Sequence, residues 1–261
     1  MTRAPIIQVR GLTAGYGNTA ILDDLSFDVL TGEVFGLLGG SGCGKTTVLR
    51  HMMGLIPPLA GSVVIDGVDI VTAEGKARRA VLRKLGVMYQ SGALFGSMTL
   101  IENVVLPLEE HTRLPARGRE LVARLRLRLV GLQGFEGYLP AEISGGMRKR
   151  AAIARAMALD PRIIFLDEPS AGLDPVTSAD LDHLILELAH ALGITFVMVT
   201  HELPSIFATN DRALMLDKES RGILALGTPQ ELSANSHPTV ARFFQRKSRT
   251  NGQPSHEENS P

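Results

Sequence analysis

The chain has 261 residues, with 27 Lys+Arg against 27 Asp+Glu, 44% hydrophobic and 21% charged. That is globular composition and excludes a chain disordered throughout. The zero formal charge argues against broad nucleic-acid binding, which shows as a basic surplus, and Cys43 as the single cysteine excludes an intramolecular disulfide.

The length allows one large domain, or a core with a subdomain, at roughly 100–200 residues per domain. No apolar run approaches the ~20 residues of a spanning helix. The start, MTRAPIIQVRGLTAGYG, does not read as a secretory signal. A membrane role would therefore come through a partner, and one cysteine fits a reducing compartment.

Leu25, Phe27 and Val29 alternate with Ser26 and Asp28, the period of a half-buried strand. Val34 to Leu38 is an apolar run ending in glycines, which suits a buried parallel strand. From Gly61 to Ile70 two β-rich runs flank the hairpin signal Asp66-Gly67. A polar, basic stretch, Glu74 to Lys84, precedes the apolar run Leu85 to Tyr89. The middle, about 91–145, is rich in Leu and Arg and lacks β-branched runs. There RLRLRLV (124–130) alternates like a strand, but the length of Arg117 to Leu132 and its good helix formers favour a helix. The basic run Arg113 to Arg128 suits a solvated helix face, or contact with lipid headgroups or a partner.

After 145, strands and helices alternate. Arg162 to Leu166 and Ile194 to Thr200 read as buried strands, and Leu181, Leu184, Ile185, Leu188 and Leu192 mark one helix face. Such alternation implies a parallel sheet covered on both faces. HPTVARFFQ (237–245) reads as a short amphipathic helix, docking on a second copy, on a regulatory partner or on its own subunit. Residues 246–261 contain no aliphatic or aromatic side chain and read as a disordered tail.

Two motifs carry chemistry. GGSGCGKT (39–46) satisfies G-x-x-x-x-G-K-S/T between an apolar strand and a helix-forming stretch, Thr47 to Met53. Glycines let successive N–H groups face a phosphate, and the helix N-terminus adds partial positive charge. Gly39, Gly40, Ser41, Gly42, Cys43, Gly44, Lys45, Thr46 and Thr47 are thus candidate nucleotide-binding residues. Lys45 can reach the β- and γ-phosphates and Thr46 can ligate Mg2+; the Cys43 side chain reads as packing. Further on, RIIFLDE (162–168) puts Asp167 at a strand end as a metal carboxylate. Glu168 follows it as a candidate general base.

Between these motifs lies ISGGMRKRAAIARAMALDP (143–161), which resembles the signature of ATP-binding cassette (ABC) ATPases. The resemblance spans about residues 6 to 245. It implies an α/β P-loop NTPase of ABC type: a mixed, mainly parallel sheet core with an antiparallel β subdomain and an inserted helical subdomain at about 91–160, all in one domain, 1–245. By resemblance, Tyr16 stacks on adenine. Gln90 is the Q-loop glutamine, joining the catalytic set and the metal ligands. SAGLD (170–174) is the D-loop, and His201 is the switch histidine near the γ-phosphate. Ser144, Gly145 and Gly146 contact the ATP held by a second copy, in a head-to-tail homodimer. Position 147, where the family carries Gln, is Met, and a thioether cannot replace an amide's donor and acceptor.

QSGALF (90–95), the PLxEHTxLP string and SGGM look like the subfamily serving MCE-type lipid transporters, the Mla (maintenance of lipid asymmetry) type among them. This implies an ATPase using ATP and Mg2+ at the cytoplasmic face of the inner membrane. Its partners are an integral membrane permease, met through 90–116, and an MCE-domain protein, with no nucleic acid. A polar-solute importer ATPase and a soluble, non-transport ABC ATPase share the same catalytic motifs.

Overall fold

Side-chain alternation along the strands sorts this molecule into layers. The computed structural model describes residues 3–245. It opens with β1 (Pro5–Tyr16), β2 (Thr19–Leu30) and β3 (Val34–Gly39), then α1 (Lys45–Met52), β4 (Ala60–Ile65) and β5 (Val68–Asp69). Next come α2 (Gly75–Leu82) and β6 (Leu85–Met88). Helices follow: α3 (Leu100–His111), α4 (Ala116–Leu129), a 3-10 turn (Pro140–Glu142) and α5 (Gly145–Ala156). The chain then alternates through β7 (Ile163–Asp167), α6 (Pro175–Leu192), β8 (Thr195–Val199), α7 (Leu203–Thr209), β9 (Arg212–Asp217) and β10 (Gly222–Gly227). It closes with α8 (Pro229–Ser233) and α9 (Pro238–Gln245).

Two sheets result. The four-stranded one is antiparallel, in the order β2-β1-β4-β5. The six-stranded one runs β10-β9-β3-β8-β7-β6, parallel except for the edge strand β10. Successive residues of its strands serve opposite cores, as a period of two demands. Ile163, Phe165, Val197 and Val199 face the antiparallel sheet and α1, where they meet Val9, Leu25 and Phe27. Ile164, Leu166, Phe196 and Met198 face α3 to α6. Glu33, 1% exposed, accepts from Arg212 Nε and Nη2 at 2.9 and 2.8 Å, fastening the turn before β3 to β9.

Several sequence readings change in detail. The 61–70 hairpin turns at Asp66-Gly67 with φ of 49° and 81°, the left-handed pair a tight hairpin needs, but its second strand is only two residues long. The helix read over 117–132 runs Ala116–Leu129 and stops before Gly131, so the RLRLRLV alternation yields to helix as chain length favoured. Leu192 leaves the buried face of α6 and is 45% exposed, because the helix ends there at Gly193. The P-loop helix begins at Lys45, not Thr47. The inferred tail, 246–261, lies outside the described residues.

The C-terminal helix packs on its own subunit. Val240, Phe243 and Phe244 of α9 are buried against Leu38, Ile206, Met215 and Leu232. Phe244 meets Phe207 edge-on, with ring centroids 5.8 Å apart. That face is thereby covered, which removes docking through it on a second copy or regulator. Phe243→Ala should cost about 3–5 kcal/mol of stability, measured as a lower urea midpoint at unchanged slope; an unshifted midpoint would mean that α9 is peripheral.

Candidate active site

Four segments meet at one sheet edge. The glycine loop leaves β3, Gln90 follows β6, Asp167 ends β7 and His201 follows β8. Since β3, β8, β7 and β6 are parallel neighbours, all four emerge at their carboxyl ends, where ligands of open α/β sheets bind. A cavity of about 640 Å³ opens there, lined by Ser41, Lys45, Thr46, Thr47, Glu168 and His201 together with Gly39, Gly42 and Gly44.

Lys45 Nζ donates to the carbonyls of Gly39 and Gly40 at 3.0 and 2.8 Å, which centres the ammonium inside the loop. Cys43 is 2% exposed and belongs to the inner core, so only its backbone belongs to the loop's surface; its N–H donates to Gly40 O at 3.4 Å. Thr46 Oγ1 lies 3.5 Å from Asp167 Oδ1, joining α1 to β7. Burial pushes the Asp167 carboxyl above its usual range and the charge of Glu168 adds to this; the Thr46 hydroxyl, Arg50 and Lys45 oppose it. A hydroxyl and a half-buried carboxylate short of compensating charge form an all-oxygen donor set, which fits Mg2+.

Glu168 stands in the left-handed region, φ 48°, with its N–H donating to Val199 O at 2.9 Å. A non-glycine residue held there at a loop after a strand is a mark of functional geometry. Its carboxylate is gripped at both oxygens. Gln90 Nε2 donates to Oε2 at 3.3 Å, and His201 Nδ1 lies 3.1 Å from Oε1. Glu202 lies 3.6 Å from the other ring nitrogen. Gln90, Glu168 and His201, distant in the chain, form one chain of polar contacts.

Tyr16 is 44% exposed, with its ring fixed by the hydroxyl: Arg50 Nη1 donates to it at 3.0 Å and Thr47 Oγ1 at 3.3 Å. Beneath it, His51 accepts from Gly15 N–H through Nε2 at 3.1 Å and reaches Ile56 O through Nδ1 at 3.1 Å. Burial keeps the His51 ring below its usual pKa, consistent with one nitrogen accepting.

Ser144, Gly145 and Gly146 do not line this cavity. They start α5 on the helical insert, with Ser144 Oγ accepting from Met147 N–H at 3.2 Å as the helix cap. Gly146 is buried where a Cβ would collide with Thr177 of α6, so only glycine lets the two helices approach. Met147 packs on the helical core, and its backbone N–H satisfies the cap.

One residue escaped the sequence reading. Lys149, 7% exposed on α5, donates to the Gln90 carbonyl and, at 3.4 Å, to the Glu168 carbonyl. Burial lowers its pKa, while Glu168 and Asp167 oppose that shift. A lysine on the otherwise apolar inner face of α5 was the available signal, hidden by the basic run around it. Charged hydrogen bonds are worth about 1.5–3 kcal/mol, so Lys149→Met should lower turnover by about 10–100-fold. Nucleotide affinity should change little, since Lys149 does not line the cavity; equal turnover in steady-state assays would refute the role.

An ABC transporter family model matches residues 22–171. The chain is 41% identical to the intermembrane phospholipid transport system ATP-binding protein MlaF of Escherichia coli (strain K12), over 92% of this chain and 89% of that protein. It is also 41% identical to the probable ribonucleotide transport ATP-binding protein mkl of Mycobacterium leprae, over 91% of this chain and 68% of that protein. Among solved structures it resembles the dimeric cassette MJ0796 bound to ADP and Pi, with TM-score 0.76 and 28% identity, covering 85% of this chain and 98% of that one. It also resembles cbiO1 of Clostridium perfringens, with TM-score 0.79 and 27% identity, covering 94% and 96%. With the family model matching more than half its length and its fold shared with these cassettes, this chain belongs to the ABC transporter ATP-binding family and is an ATPase.

Proposed function

We propose that the chain is the ATP-hydrolysing subunit of an MCE-type ABC transporter that moves phospholipid, or another hydrophobic molecule, between membranes. The observation that carries the chemistry is the Glu168 carboxylate, held between Gln90 and His201 beside the glycine loop. The similarity to MlaF, which extends over nearly the whole of both chains, supports the lipid reading. A second reading, a polar-solute transporter, draws on equal identity to mkl, a protein named for ribonucleotide transport, though this chain spans a smaller share of it.

Residues 1–245 act as one ATPase domain, with 91–160 as its helical subdomain. The triphosphate sits in the loop 39–46, its charge met by backbone N–H groups, Lys45 and the N-terminus of α1. Adenine stacks on Tyr16, whose tether to Arg50 and Thr47 pre-sets the ring. Thr46, Asp167 and Gln90 would hold Mg2+, which would supply charge neutralisation on the phosphate oxygens. Glu168 orients water and takes its proton; a positioned base is worth about 10²–10⁴-fold. His201 stands at the γ-phosphate side, and its bond to Glu168 couples sensing to the base.

The site is completed by a second copy. Ser144, Gly145 and Gly146 lie away from their own chain's cavity, and the N-terminus of the twelve-residue helix α5, where Ser144 caps Met147 N–H, meets the γ-phosphate of the opposing subunit. ATP thereby joins two copies and hydrolysis releases them, a ligand-biased two-state closure that does work on a partner.

That partner is an integral membrane permease, reached through 90–116, with an MCE-domain protein in the same complex. Phe95 is 50% exposed on a turn pinned by buried Asn103, which accepts from Phe95 N–H at 2.8 Å and donates to the carbonyls of Phe95, Met98 and Thr99. Among the described residues no helix is long and apolar enough to cross a membrane. The chain sits at the cytoplasmic face of the inner membrane, held by the permease.

Glu168→Gln should retain ATP binding while hydrolysis falls by about 10²–10⁴-fold; undiminished turnover in the transporter-bound protein would remove the base from Glu168. Ser144→Arg places a large cation where the partner's γ-phosphate belongs. Light scattering should then find no ATP-dependent dimer, and a dimer of normal stability would contradict the composite site. Native purification from membranes separates the two cargo readings: a permease with an MCE-domain protein and phospholipid supports lipid transport, and a permease with a solute-binding protein supports polar transport.

A further inference from the structure

Tyr16 is held at two ends, and both holds come from one helix. Thr47 and Arg50 of α1 donate to its hydroxyl, at the far end of the ring. At the near end, the backbone N–H of Gly15 donates to Nε2 of His51, also on α1, at 3.1 Å. Positions 47, 50 and 51 share one helix face. The register of β1 with β4 ends at Thr13, so the buried Gly15 N–H beyond it meets the imidazole rather than a strand. On its other edge β1 still pairs with β2, Gly15 opposite Ala20 and Tyr16 opposite Thr19. The end of this hairpin therefore projects past β4, and the ring of His51 fastens its backbone to α1. Gly15 offers no side chain as an anchor, because a Cβ there would collide with the Thr19 carbonyl.

His51 is 1% exposed, and both of its ring nitrogens are used. Nδ1 lies 3.1 Å from the carbonyl of Ile56, in the segment after α1. An amide N–H only donates and a carbonyl only accepts, so the ring is neutral with its proton on Nδ1. Burial favours that neutral form. The Ile56 bond orients the ring, and the orientation aims Nε2 at Gly15. An aliphatic side chain could fill the same space, but only one carrying an acceptor satisfies the Gly15 N–H. We propose that His51 is a positioning residue for nucleotide recognition: by accepting from Gly15 it holds the Tyr16 ring at a fixed place relative to the phosphate loop. Lys45 and Thr46 stand at the N-terminus of the same helix. The base and phosphate subsites are thus built on one rigid element, and ATP is recognised as a unit. His51 touches no nucleotide and acts through Gly15 and Tyr16.

The inference rests on reading Tyr16 as the residue that stacks on adenine. Its test is steady-state ATP hydrolysis by the full chain in its membrane complex, with inorganic tripolyphosphate as competitor. Tripolyphosphate fits the loop 39–46 but carries no base, so its inhibition constant reports the phosphate subsite alone. His51→Leu should raise the KM for ATP about 3–10-fold, with kcat and the tripolyphosphate constant within about 2-fold of the parent. Two polar variants separate the two ring bonds. His51→Gln can place an accepting oxygen where Nε2 stands and should restore the KM. His51→Asn can keep a donor where Nδ1 stands but has no acceptor in reach of Gly15, and should match His51→Leu. A merely structural role would weaken ATP and tripolyphosphate together. Parental KM in His51→Leu, equal weakening of both ligands, or Gln as impaired as Leu overturns the proposal. Should the Leu variant fail to fold, the Gln and Asn variants carry the same test: a raised KM in Asn alone supports the tie, and equal KM values refute it. Tyr16→Ala run alongside separates the two levels. It should raise the KM for ATP about 5–150-fold, the range of a lost base–aromatic stack. If it leaves that KM unchanged, the stacking reading falls and this inference with it; if it raises the KM while His51→Leu does not, the inference alone falls.

Discussion

Everything at this site depends on the parallel register of four strands. Leu37 pairs with Val199, Val199 with Asp167, and Leu166 with Met88. That ladder brings the residues after β3, β8, β7 and β6 to one edge, although they come from chain positions as far apart as 39 and 201. The strands are nearly all buried on both faces, and alternate residues feed two separate cores. A one-residue slip would exchange those faces and carry Asp167 away from Thr46. Hydrophobic burial therefore fixes the register, and the register fixes the chemistry.

Around that edge, charge is held in places where water is scarce. Lys45 is placed by two carbonyls of its own loop, and Lys149 by carbonyls of the Q-loop and of Glu168. An ammonium on carbonyl acceptors keeps its direction better than one left in solvent. Lys149 belongs to the helix that starts with Ser144, so that helix is bonded to the backbone of Glu168. Engagement of that helix would thus be felt at Glu168 through a short, stiff path rather than through a loop.

The helical insert has a different character. Asn103 uses both ends of its amide on the 95–99 turn, while Phe95 itself remains half-exposed. A rigid turn presenting an aromatic side chain loses little entropy when it meets a partner. The C-terminal helix is the opposite case. Its aromatic face is satisfied internally against β9 and α7, and serves the stability of the subunit.

Local chemistry was legible in the sequence wherever a motif is contiguous. GGSGCGKT, RIIFLDE and SGGM each carry their own backbone logic, and the strands around them announced themselves by alternation and short apolar runs. The Asp66-Gly67 hairpin and the α4 helix were readable for the same reason, although their ends were not, because strand length and helix termination answer to neighbours. Tertiary structure alone decided which distant residues touch. The Gln90–Glu168–His201 chain joins three strand ends through the sheet. The inward turn of Lys149 follows from which face of α5 packs on the sheet. Nothing local distinguishes Asp182 from the solvent-facing acids of α6; only the packing of α7 and the loop after Glu168 buries it. Sequence determines what each segment can do, since that depends on nearby residue types and spacing. Packing decides what each segment meets, since burial is a property of the whole chain.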